Sequence, residues 1–320
     1  MENLKSYYNR NRKKIWGIII IIAFAFTLLQ LANFFAKKSS EAKINSNNET
    51  QVTNVNSSAV QSNKSAVTGR SVGEEQSKNE AEAINKFISY CNNQDVESAY
   101  NMLTDDCKSN MYTSLSLFQE SYYNENFGGE KKQIEIQNWI DNTYKVRIID
   151  NILSTGKSNN GYAKQDYITV KKVDNNYKLN INNYIGYSKI NKTTDSNNVK
   201  VEVLSRNTYM EREEYKIKVI NNTENTIMLD TLENTENTYL EDSNDVKHPF
   251  IGNELTEPML TIPSKQTKEI TISFYSSYTS TKKIKNLVFS SVVSDYNEYQ
   301  LYKKAGQNSY TNVFKIKANV

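Results

Sequence analysis

Apolar positions divide this chain into stretches with different periods. From Ile15 to Ala36 they continue without a single charged residue. A helix of that length reaches about 33 Å at about 1.5 Å per residue, matching a hydrocarbon core of about 30 Å. From Lys37 to Lys78 apolar residues are isolated among Ser, Asn, Gln, Lys and Glu, and no aromatic residue occurs between Phe35 and Phe87. From Asn79 onward they return, first at helical spacing. Ile84, Phe87, Ile88 and Cys91 fall at i, i+3, i+4 and i+7, and Val96, Ala99, Tyr100 and Leu103 repeat the pattern. Asp95 is placed to cap the second helix, and Thr104-Asp105-Asp106 to end it. A third helix is expected near Ser116, where Gln119 completes a capping-box pattern.

The period then changes to two. Strands are expected at about 133–139, 144–153, 162–173 and 176–181, with a further one at 184–188. Asp174-Asn175 reads as a hairpin turn, because both residue types tolerate positive φ. Helices followed by an antiparallel sheet predict an α+β domain over residues 79–195. Residues 199–320 show no helical period. Alternation is clearest in Tyr215-Lys216-Ile217-Lys218-Val219 and Ile270-Thr271-Ile272-Ser273-Phe274. Expected strands there are 199–206, 213–221, 226–232, 239–242, 259–262, 267–275, 284–294, 298–303 and 311–317, which together read as a β-sandwich. Asn-Thr-Glu-Asn-Thr occurs at 222–226 and again at 234–238, consistent with two polar hairpin ends.

The apolar run 15–36 reads as a transmembrane helix, with Trp16 and Phe34/Phe35 near its ends. Lys5, Arg10, Arg12, Lys13 and Lys14 precede it and only Lys37 and Lys38 follow, which places a basic tail, residues 1–14, in the cytoplasm. A cleaved leader would need a shorter apolar run and a small-residue exit site. Residues 37–78 then form a disordered linker, with a reach on the order of 35 Å. The expected localisation is the cell membrane, single-pass, with the C-terminal domains extracytoplasmic. Membrane lipid is the first expected partner, through residues 15–36.

The run from Phe87 to Cys107, which contains Asn92-Asn93-Gln94-Asp95-Val96-Glu97-Ser98-Ala99-Tyr100-Asn101-Met102-Leu103, resembles the opening of a nuclear transport factor-like cone domain. The similarity extends over about a third of the chain and also takes in membrane-anchored proteins of clostridia-type bacteria. It implies an α+β cone, three helices packed on a curved antiparallel sheet. Residues 199–320 are similar to the immunoglobulin-like modules of bacterial surface proteins. The expected fold class is therefore such a cone plus an all-β immunoglobulin-like sandwich, behind one N-terminal transmembrane helix. Anchored cone domains resemble assembly factors of conjugative secretion systems and accessory domains of cell-wall enzymes.

Charge and chemistry narrow the reading. Lys and Arg number 39 against 36 Asp and Glu, a net +3, which supplies no field for nucleic acid. Cys91 and Cys107 are the only cysteines. On an oxidising side they suggest one disulfide, and two packed free thiols are the alternative. The stretch 241–245, Glu-Asp-Ser-Asn-Asp, lacks the glycine and terminal glutamate of an EF-hand loop and reads as a polar turn. His248 is the single histidine and reads as a loop residue. Asp150 is open either as a buried base or as a solvent-facing or Arg147-paired residue. Lys282, Lys283 and Lys285 read as a solvated strand edge. No phosphate-loop or dinucleotide glycine motif occurs. Catalytic, cofactor-binding and metal residues are expected to be none, and cofactors none. The expected function is a non-enzymatic, membrane-tethered interaction or scaffold protein of the bacterial envelope, with protein partners there and a conjugation or secretion apparatus as one setting. A small-ligand or wall-polymer module using the cone pocket is the alternative. Oligomeric state stays open.

Overall fold

The structure is a computed structural model that describes residues 63–150, 163–234, 236–306 and 310–320. Helix α1, Glu74–Asn92, buries Ile84, Phe87, Ile88 and Cys91 on one face, as the spacing predicts. Two acidic residues, Glu74 and Glu75, occupy its first turn, where the helix dipole favours negative charge. The helix stops at Asn93-Gln94, with Gln94 at φ 60°. Asp95 then caps α2, Val96–Asn101, accepting from the Ser98 N–H at 3.1 Å. Thr104 does more than end this helix. Its hydroxyl accepts from the Cys107 N–H at 3.0 Å and so starts α3, Asp105–Met111. Ser114 caps α4, Leu115–Phe118, which runs on through a π turn, Gln119–Tyr123, into α5, Asn124–Asn126. The wider turn lets the consecutive Tyr122 and Tyr123 both face inward, where they are 2% and 5% exposed.

The first sheet is antiparallel, in the order β1 (Lys132–Ile140), β2 (Thr143–Asp150), β3 (Lys164–Val173), β4 (Asn176–Asn180). Asp174 and Asn175 turn β3 into β4 with φ of 46° and 65°, the left-handed pair such a hairpin requires. Ile134, Ile136, Val146, Ile148, Ile168 and Val170 face the helices and share one core with Phe87, Phe118 and Tyr122. Each edge of this sheet is paired at one point. Ala66 and Val67 donate to the Asn138 and Trp139 carbonyls on the β1 side at 3.1 and 3.2 Å. On the β4 side, Leu103 pairs in parallel with Leu179.

Strand β5, Tyr184–Ser196, and β6, Val199–Tyr209, open a second sheet in the order β12–β7–β6–β5, with β7 at Arg212–Asn221 and β12 at Thr267–Tyr275. A third sheet is built on β13, Ile284–Val293, which pairs with β9 (Thr238–Asp242) and β14 (Val313–Asn319). It also carries β8 (Ile227–Met228), β10 (Lys247–Pro249) and β11 (Thr261–Ile262). The second and third sheets face each other across a core of Val201, Val203, Ile217, Ile272 and Phe274 on one side and Leu240, Leu287, Phe289 and Ile316 on the other.

Two short helices also belong here, α6 (Glu257–Leu260) and α7 (Tyr296–Lys304). The second replaces the strand expected at 298–303. Asp295 accepts from the N–H groups of Asn297 and Glu298 at 2.9 and 3.1 Å, and this cap commits the segment to a helix that buries Tyr299.

Several expectations need correction. The described chain is mostly β, in three antiparallel sheets with short helices beside them, rather than a three-helix cone followed by an immunoglobulin-like sandwich behind a transmembrane helix. Thr104 and Ser114 break the helical part into more pieces than three. Among the described residues no helix is long and apolar enough to cross a membrane. The expected span, residues 15–36, and the basic tail 1–14 lie outside the described residues. The single-pass membrane assignment, and the extracytoplasmic localisation built on it, therefore have no support in the structure.

Candidate functional site

Most residues singled out in the sequence turn out to hold the fold. Cys91 and Cys107 are free thiols, 1% and 0% exposed, in the core beneath α1 and α3. Burial pushes the Cys91 thiol up, and raises that of Cys107 to about 12. Asp150 is no buried base. It accepts from the Lys132 ammonium at 2.6 Å, while Arg147 pairs instead with Glu135. His248 lies on β10 with Nε2 3.2 Å from Asp242. Asp242 also accepts from the N–H groups of Asn244 and Val246 at 2.8 and 3.1 Å, which closes the polar turn at 243–246.

Four buried carboxylates went unnoticed in the sequence, Glu80, Asp166, Glu213 and Asp230, and two of them hold loops. Asp166, 4% exposed on β3, accepts from the Tyr122 hydroxyl at 2.7 Å and from the N–H groups of Asn182 and Asn183, each at 3.0 Å. Both asparagines have positive φ, so the carboxylate fixes the turn that leads into β5. Burial holds its carboxyl above the usual carboxylate range. Glu213, 3% exposed on β7, accepts from the Tyr215 hydroxyl at 2.7 Å and from Ser276 at 3.1 Å, with the Lys282 ammonium at 3.6 Å. Lys282 is therefore not a solvated edge residue. Burial pulls its ammonium below the usual lysine range. In both clusters the polar groups are occupied by hydrogen bonds that position loops.

The interior between the helices and the first sheet is filled by side chains, with depressions of about 360 and 330 Å³ at its rim, one beside Glu82, Lys86 and Tyr177 and one beside Phe127, Lys132 and Lys164. Rings of Phe87, Tyr112, Phe118 and Tyr122 meet in that interior with centroids 5.5–6.4 Å apart, and all four are at most 2% exposed. The opposite face differs. The register stacks Glu135, Arg147 and Gln165 in one row across β1, β2 and β3, and Gln137, Lys145 and Tyr167 in the next. Trp139 follows at an irregularity between Asn138 and Ile140, where it leaves the ladder. Its ring lies 5.4 Å from that of Tyr167 at 59°, and the Lys145 ammonium sits 5.3 Å from its centroid. Arg147 donates to Glu135 at 2.5 Å with both side chains over 40% exposed. A shallow depression of about 360 Å³ lies over Glu135, Gln137, Lys145 and Arg147. The face closes at Thr143 and Thr169, fully buried and 2.9 Å apart through their hydroxyls.

Period-two alternation through Glu135, Gln137 and Trp139 was the available signal for this face. The sequence does not say which residues of β2 and β3 stand beside them. No protein-family model matches the chain, and neither a curated protein nor a solved structure does.

Proposed function

We propose that this chain is a non-catalytic binding module whose working surface is the outer face of the first sheet. The observation that carries this reading is the pair Trp139 and Tyr167, partly exposed on the outer face of the sheet and set among Gln137, Lys145, Arg147 and Gln165. Aromatic rings held by a rigid sheet lose little conformational entropy when they bind a partner. The buried acids support the same reading, since the polar atoms of Asp166 and Glu213 are spent on loop-fixing bonds. The alternative of a ligand inside the helical lobe is disfavoured by the rings that fill it.

A photo-reactive phenylalanine analogue at Gln165, in the full chain, tests the reading in extracts of the source cell. Discrete adducts that vanish with Trp139→Ala are expected. Adduct formation that is absent, or that ignores Trp139→Ala, overturns the proposal.

A further inference from the structure

Lys282 and Glu213 meet away from solvent, with side chains 11% and 4% exposed, and Ser276 beside them is 1% exposed. The groups placed to react there are the chain's own. Glu213 belongs to β7 in the second sheet, and Lys282 to the crossover that carries the chain from β12 to β13 in the third. We propose that Lys282 and Glu213 condense into an internal amide, a covalent tie between that crossover and the second sheet.

The hydrogen bonds are the first argument. The Lys282 ammonium donates to the Ser276 hydroxyl at 2.5 Å, and that hydroxyl donates to Oε1 of Glu213 at 3.1 Å. Nζ itself stands 3.6 Å from Oε1. Ser276 thus bridges the nitrogen and the oxygen that leaves, oriented to pass protons from one to the other. The second oxygen, Oε2, accepts from the Tyr215 hydroxyl at 2.7 Å, with the Arg206 guanidinium at 3.8 Å. These donors face the oxygen on which negative charge gathers when the nitrogen attacks the carboxyl carbon.

The step balances within the pair. An ammonium and a carboxylate become an amide and one water. The Nζ–Cδ bond forms and the Cδ–Oε1 bond breaks. Two protons from Nζ leave with Oε1 as water, and Oε2 stays as the amide oxygen. No co-reactant is needed.

Energetics favour the same product. Two charges held out of water carry a desolvation cost that an amide does not. Burial pulls the Lys282 ammonium below the usual lysine range, which frees the nitrogen lone pair for attack. In dilute solution water drives the reverse reaction. Groups fixed side by side instead react at effective concentrations on the order of 10⁵ M or more, and little solvent is at hand to reverse the step. Burial rather than distance sets this pair apart. Lys216 and Glu269 come closer, at 2.8 Å, but are 49% and 51% exposed and stay hydrated as ions.

Mass spectrometry of the purified, denatured full chain tests the proposal. After incubation at neutral pH the mass is expected to fall one water below that calculated from the sequence. Trypsin should fail to cut after Lys282, and the digest should contain a branched peptide joining that residue to Glu213. Lys282→Arg keeps the positive charge, but a guanidinium stays protonated and is no nucleophile, so this variant should show its full calculated mass. Glu213→Ala should do the same. A parent chain at full mass overturns the proposal. A loss of water that persists in Lys282→Arg overturns it too, as does a branched peptide that joins a different pair.

Discussion

Asp166→Ala is the substitution whose cost is most directly worked out. The carboxylate accepts from Tyr122, Asn182 and Asn183 at 2.7–3.0 Å in a site 4% exposed. Removing it orphans a phenol and two backbone N–H groups. Each buried, unsatisfied donor costs about 1–3 kcal/mol. Water entering the vacated space recovers part of this, so a loss of about 3–5 kcal/mol is expected. Tyr122→Phe deletes one donor and leaves the carboxylate with the other two, for about 1 kcal/mol. The double variant should cost less than the sum, because the shared bond is lost once. Urea unfolding followed by far-UV circular dichroism and tryptophan emission measures all three. The pH dependence adds an independent check. Burial raises the folded carboxyl above its value of 3.8 in the open chain. A raised folded value means the native state binds the proton more tightly. The stabilisation from this group is then complete below the unfolded value and is lost as pH rises through the folded one. The stability gap between the parent and Asp166→Asn should narrow over that rise. A loss below about 1 kcal/mol for Asp166→Ala, or a gap that widens with rising pH, refutes the reasoning.

Two other expectations follow from the same kind of argument. The Tyr296 hydroxyl donates to Glu257 at 2.6 Å and is the main reason that carboxyl sits below its usual range. Its contribution is present above the unfolded value and lost as pH falls through the folded one, so Tyr296→Phe should cost about 1 kcal/mol at neutral pH and less in acid, read from thermal melts. Cys91 and Cys107 should resist iodoacetamide at pH 8 in the native chain and react fully in denaturant, as followed by mass spectrometry. Rapid native labelling of either would contradict their burial.

Local signals in the chain were readable wherever the chemistry was local. The face of Ile84, Phe87, Ile88 and Cys91, the Asp95 cap and the Asp174-Asn175 turn all depend on neighbours a few residues away. Residues 298–303 misled because Tyr and Leu at short spacing fit a strand as well as a helix, and the Asp295 cap decides between them. Lys282 misled because its partner, Glu213, is on another strand. The outer face of the first sheet was illegible for a similar reason. Trp139, Lys145 and Tyr167 come from three strands, and only the register brings them together.

Strand β6 reaches into both interiors. Its Tyr209 belongs with Tyr184 and the helices, while Val199, Val201 and Val203 line the space between the second and third sheets. The two halves of the described chain consequently have no clean seam for recombination. A crossover anywhere from Tyr184 to Asn221 would separate residues that pack in one core. A transplanted half would arrive without part of its own spine.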